Sequence, residues 1–286
     1  MKQKHYISFL ISSLLLISLY CYFFIIKNNN LVEDNPAVIQ ENVDYYNEEG
    51  WEEKYLHLNS NTFTGKGIKI AVLDTEIDSN MCDKSMYKGT FLKRRLHGDQ
   101  VTQLIKKISK NVSIYCVPVA SPSGYVKEED FIKGLKWAIK QNVDIINMSL
   151  GFKRAIEKVE PILMEAYKNN IVLIAAAGNE GHGKLDYPSS SPYVISVGAL
   201  NTNADRWTYS NYGSELDFLL PGSSIKIGDE FVEGTSFSAA ILTGMVARIE
   251  EEFPNSTPGF IFKQLVKMTS NETRINDYKG YGTPTF

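Results

Sequence analysis

Histidine and cysteine are scarce in this chain, four and three residues in 286. Cys21, Cys82 and Cys116 fall in no CxxC spacing, and so few histidines cannot complete the usual ligand sets, which argues against a structural zinc site. Cys82 and Cys116 can pair in an oxidising compartment or remain thiols, and the sequence decides neither. Excess charge is lacking too. A formal net charge of −3 offers no basic face for nucleic acid and no strongly charged tail. No internal repeat is present, which excludes a repeat architecture.

Long apolar runs are missing with one exception. YISFLISSLLLISLYCYFFII, residues 6–26, holds 21 uncharged residues behind Lys2, Lys4 and His5. At about 1.5 Å per residue this matches a hydrocarbon core of roughly 30 Å. A cleavable signal has a shorter apolar region and ends in small residues, whereas this one exits through Tyr22, Phe23 and Phe24. Tyr20 also stands where a lipoprotein signal needs a small residue before Cys21. Residues 1–27 are therefore expected to form an uncleaved signal-anchor. Basic residues before it and Glu33, Asp34, Glu41 and Asp44 after it put the N-terminus inside and the bulk of the chain outside. A cleaved signal and a secreted product form the alternative. Residues 28–60, polar and rich in Asn and Glu, read as a stalk with a surface segment around 51–58, and residues 61–286 as the folded domain.

That domain has an ordinary composition, 43% hydrophobic and 22% charged across the chain, enough to bury a core. GIKIAVLD (67–74), VSIYCVPV (112–119), VDIINMSL (143–150), IVLIAAAGN (171–179) and YVISVGAL (193–200) are apolar runs expected as strands. HGDQVTQLIKKI (97–108), EEDFIKGLKWAIKQ (128–141) and IEKVEPILMEAYKN (156–169) carry helical spacing, with Pro161 expected to bend or begin the last. Continuous apolar strands alternating with helices predict an α/β fold of three layers: a mostly parallel central sheet with helices on both faces. Functional groups in such sheets gather beyond the carboxyl ends of the strands. Asp74 closes the first strand, His97 opens a helix, and Asn179 closes a later strand. Ser236, in VEGTSFSAAILTG (232–244), opens another helix. A Gly-Thr-Ser triplet there reads either as a helix N-cap or as a nucleophile in the positive potential of a helix start.

Together these segments resemble a known family. AVLDTEID, LHGDQVTQLI, INMSLG, AAAGNEG and GTSFSA are similar, in order, to the signature regions of the subtilisin-like serine proteases (subtilases, peptidase S8), and the likeness runs from about Gly65 to the C-terminus. The resemblance implies a serine endopeptidase that hydrolyses extended polypeptide segments. It implies a catalytic triad of Asp74, His97 and Ser236, and an oxyanion hole made by the Asn179 amide with the Ser236 N–H. It also implies that Ser149, Leu150 and Gly151 form an exposed strand edge pairing with the substrate backbone. Ala176, Ala177 and Gly178 would wall the primary pocket, and Asp186 would lie near its floor, where a carboxylate attracts Lys or Arg before the scissile bond.

Several positions depart from the family pattern. Glu76 follows Asp-Thr where glycine is usual, Asp99 follows His-Gly where threonine is usual, and Gln103, Ala240 and Ile241 replace common family residues. Glu76 and Asp99 are expected to raise the His97 pKa. The segment between anchor and domain is short for an inhibitory pro-domain, and the loop after the His97 helix is short for one familiar calcium site. No cofactor is required; a structural calcium is compatible with the chain but not evident in it. The expected partners are a peptide or protein substrate and a membrane reached through the N-terminal helix, with no nucleic acid, and the chain is expected to be a monomer. The first reading is a membrane-tethered, extracytoplasmic precursor- or leader-processing protease with basic P1 preference. The alternative is a weak or inactive pseudo-protease acting as a peptide-binding module.

Overall fold

The structure is a computed structural model and describes residues 50–87, 96–271 and 273–286. The chain divides into units of residues 1–45 and 46–286. The expected signal-anchor (1–27) and most of the stalk lie outside the described residues. Among the described residues no helix is long and apolar enough to cross a membrane.

Seven strands form the central sheet: β1 (Lys69–Asp74), β2 (Lys84–Ser85), β3 (Ser113–Pro118), β4 (Ile145–Met148), β5 (Val172–Ala176), β6 (Ile195–Leu200) and β7 (Phe218–Pro221). Their order is β2-β3-β1-β4-β5-β6-β7, and every pairing is parallel. Side chains alternate across a strand, so β1 sends Ile70 and Val72 into one core and Ala71 and Leu73 into the other. A short antiparallel pair, β8 (Ile225–Ile227) with β9 (Glu230–Val232), precedes the serine-bearing helix.

Helices cover both faces. Helix α1 (Trp51–Tyr55), α2 (His97–Ile108) and α5 (Thr235–Glu252) contribute to the first core, joined by α6 (Pro258–Met268). Helix α3 (Glu128–Lys140) and α4 (Glu160–Lys168) close the second. This is the three-layer α/β arrangement that the alternation of apolar strands and helices predicts. Pro161 begins α4 rather than bending it, as a residue lacking an N–H suits a first turn. Helix α5 is buried on nearly every side, which is why its sequence is apolar or small all round instead of amphipathic.

Two features differ from expectation or resolve it. The 51–58 segment is core, not surface: Trp51, Leu56 and Leu58 are all buried, and the Trp51 indole N–H donates to the Ser223 carbonyl at 3.2 Å. Its apolar residues looked stray because the surface they cover comes from far along the chain. Cys82 and Cys116 are joined in a disulfide with Cα atoms 5.7 Å apart. It fastens the segment after β1, on the way from Asp74 to His97, to strand β3.

Candidate active site

Asp74 is the last residue of β1 and only 2% exposed. A carboxylate can stay there because donors surround it. The Thr75 N–H donates to Oδ1 at 2.7 Å, and His97 Nδ1 lies 2.8 Å from Oδ1 and 3.0 Å from Oδ2. An ionised carboxylate can only accept, so Nδ1 carries the ring proton and Nε2 is left with its lone pair outward. Burial alone would pull the His97 pKa down, but the charge and hydrogen bond of Asp74 outweigh it, and the imidazole is held above 6.5.

The expectation that Glu76 and Asp99 raise the His97 pKa does not hold; the cause is Asp74. Asp99 is committed to shaping the helix start. Its Oδ2 accepts from the Leu96 N–H at 2.8 Å and its Oδ1 from the Asp78 N–H at 2.7 Å. These bonds satisfy donors around the N-terminus of α2 and tie the segment after Asp74 to His97. Thr75 adds a second tie, its hydroxyl accepting from the Gly98 N–H at 2.9 Å.

Ser236 is the second residue of α5, and the N-cap position is Gly234, which has no side chain to cap that helix. The cap reading of the Gly-Thr-Ser triplet is therefore set aside. The Ser236 hydroxyl donates to the Ser149 carbonyl at 3.2 Å and not to His97. The His97 ring lies 5.6 Å from the ring of Phe237, the next residue in the chain, which brings the imidazole to the mouth of α5. Of the first N–H groups of that helix, Thr235 donates to Asn179 at 2.9 Å and Phe237 to Gly234 at 3.1 Å. The Ser236 N–H is one of the donors that a helix start leaves without an internal acceptor.

Asn179 lies just beyond β5, its amide orientation fixed by chemistry. Oδ1 accepts from both the Thr235 N–H and the Thr235 hydroxyl, each at 2.9 Å. A backbone N–H can only donate, so the atom facing it is the oxygen, and Nδ2 points the other way as a free donor among the described residues. Thr235 also receives the Gly178 N–H at 3.2 Å. Nothing in the sequence distinguished this threonine from a turn residue.

The expected substrate-binding residues divide. Of the expected edge, Ser149 is buried, Leu150 is half-buried and Gly151 is exposed. The Ser149 hydroxyl, 3.0 Å from both the Ser236 carbonyl and Asn147 Oδ1, braces the serine from below. These three residues follow β4 as irregular backbone, which rejoins a partner at the Phe152–Tyr187 bridge. Ala176, Ala177 and Gly178 are all buried. Asp186, 8% exposed, packs against both segments. A Cβ added at Gly151 or Gly178 would come within 2.8 Å of the Asp186 side chain, and Gly178 has φ near +106°; only glycine fits there. Lys153, which sequence reasoning missed, pairs with Asp186 at 2.9 Å and also with Glu180. Among the described residues no group of three or more His, Cys, Asp or Glu side chains is placed to hold a metal ion.

Residues 95–282 match the model of the subtilase family, Peptidase S8. That range holds His97, Asn179 and Ser236 and stops short of Asp74. Subtilisin NAT from Bacillus subtilis subsp. natto is 32% identical over 227 residues, covering 70% of this chain and 60% of the relative's length. Among solved structures, the psychrophilic subtilisin-like protease Apa1 from Pseudoalteromonas sp. AS-11 superposes with a TM-score of 0.73 over 82% of this chain and 95% of its own, at 14% identity. The prenylagaramide maturation protease PagA gives 0.68 over 80% and 94%, at 25% identity.

Proposed function

The chain belongs to the subtilase family, and from that premise we propose that it is a membrane-tethered serine endopeptidase acting outside the cytoplasmic membrane. The observation that carries this reading is the Asp74–His97 pair, 2.8 Å apart, presented at the start of the helix that bears Ser236. In the proposed reaction the Ser236 hydroxyl turns from the Ser149 carbonyl to His97 Nε2, which takes its proton as Oγ attacks the scissile carbonyl carbon. Asp74 holds the Nδ1 proton and balances the imidazolium that forms. The carbonyl oxygen, now an oxyanion, is met by Asn179 Nδ2 and the Ser236 N–H, and it collapses as His97 returns the proton to the leaving amine. Water repeats the cycle on the acyl-enzyme.

The extended substrate is read as lying along Leu150 and Gly151, with Asp186 favouring Lys or Arg before the cleaved bond. The disulfide fits an oxidising compartment outside the cytoplasm, and the tether rests on the apolar run at 6–26. A role in trimming a precursor or leader peptide fits that tether and is in keeping with the likeness to a maturation protease. The test is labelling of the full-length chain with a fluorophosphonate. Wild type should label and Ser236→Ala should not. A folded wild-type chain that resists labelling would leave the peptide-binding alternative in its place.

A further inference from the structure

The specificity side of the site holds a cation of its own. Lys153 Nζ lies 2.9 Å from Asp186 Oδ2 and 3.1 Å from Oδ1, and the same ammonium reaches Glu180. Its two anchors are fixed. The Asp186 N–H donates to the Ala177 carbonyl at 2.9 Å, and the carboxylate is wedged between the Gly151 and Gly178 backbones. Glu180 Oε2 accepts from Asn211 Nδ2 at 2.8 Å. The cation is the exposed member: the Lys153 side chain is 62% exposed, while that of Asp186 is 10% exposed. Burial and the like charge of Glu180 work against an ionised Asp186, and Lys153 works for it. Without a cation, this carboxylate would stand buried beside a second one.

We propose that Lys153 is a built-in competitor for the substrate's basic side chain, seated on Asp186 in the free enzyme and displaced toward solvent when a P1 lysine or arginine enters. The proposal rests on the basic P1 reading given above and says how that pocket is regulated. One ammonium or guanidinium replaces another on the same carboxylate, so the charge of the pocket is the same before and after. The lysine end of the pair is exposed and the exchange leaves the buried carboxylate with a cation, so the pair can give way, and Glu180 offers the displaced ammonium a second anchor at the rim. A substrate with an uncharged P1 leaves Lys153 in place and meets a capped pocket. Lys153 therefore sets how strongly basic residues are preferred over apolar ones.

The test uses full-length wild type, Lys153→Met and Lys153→Arg with peptides identical except for Lys, Arg or norleucine at P1, and p-aminobenzamidine as a fluorescent cation that needs no turnover. Lys153→Met should lower KM for the basic peptides and Kd for p-aminobenzamidine by about 2–5-fold. It should raise KM for norleucine and leave kcat without a gain, while Lys153→Arg keeps the wild-type ratios. If Lys153→Met folds as wild type yet KM and Kd for the cations stay the same or rise, the competition is overturned and the basic P1 reading stands. If wild type cuts only after norleucine and p-aminobenzamidine binds neither protein, the basic P1 reading falls, and the competition with it.

Discussion

Asp74 and Glu250 are both buried carboxylates, 2% and 6% exposed, at opposite ends of one parallel sheet. Asp74 closes β1 at the carboxyl ends of the strands, where Thr75 and His97 donate to it. Glu250 lies near the end of α5, in a cavity of about 480 Å³ lined by residues that precede β1, β4 and β5. Burial pushes its pKa to about 9, with the negative charge of Asp144 adding to the effect. Burial therefore raises the pKa of Glu250, whereas Asp74 lies among hydrogen-bond donors. Around Asp74 local structure supplies the partners, and Thr75 in turn holds Gly98 beside His97.

Substitutions break this comparison in order of expected effect. Ser236→Ala should cost on the order of 10⁶ in kcat, and the acyl-enzyme should vanish from mass spectra. Asp74→Asn should cost about 10⁴ in kcat and, with the stabilising charge gone, move the midpoint of the pH–rate profile downward. A profile that stays in place would detach Asp74 from the titration of His97. Asn179→Ala should cost about 10²–10³ in kcat with little change in KM; a matching loss in KM instead would make it a ground-state contact. A separate effect, on stability and not on rate, lies at the other end of the sheet. Glu250 keeps its proton in the folded protein up to about pH 9 and would lose it near 4.5 when unfolded, so its contribution to stability falls as pH rises through that window. Glu250→Gln is free of this penalty. In thermal melts its advantage over wild type should grow above pH 4.5, by up to about 1.4 kcal/mol per pH unit, and level off beyond pH 9. An advantage that does not vary with pH would mean that Glu250 is ionised after all.

How much of this could be read from the chain depended on how local the cause was. The helix at 97–108 was legible because its apolar spacing lies within the segment. Asp74, His97, Asn179 and Ser236 could be placed at or near the ends of regular elements from the segment pattern, while the roles expected of them came from likeness to the family. The burial of 51–58 was not, since Trp51 finds its acceptor 172 positions away. Lys153 was missed because its meaning comes from Asp186, 33 positions on and in another loop. Asp99 was seen but misjudged: a carboxylate two residues from a histidine suggests electrostatics, yet both its oxygens accept from backbone N–H groups. Asp186 was placed by likeness to the family, and its charge partner could only come from the folded chain.

In the proposed mechanism Ser236 is a nucleophile only because His97, tuned by Asp74, can take its proton. The most direct measurement is the rate at which a fluorophosphonate labels Ser236 in the full-length chain as pH is varied. A neutral imidazole is the base and its pKa is raised, so the rate should climb with a midpoint above 6.5 and become slow and flat in His97→Ala. Labelling that is equally fast in His97→Ala, or that does not change across this range in wild type, would contradict it.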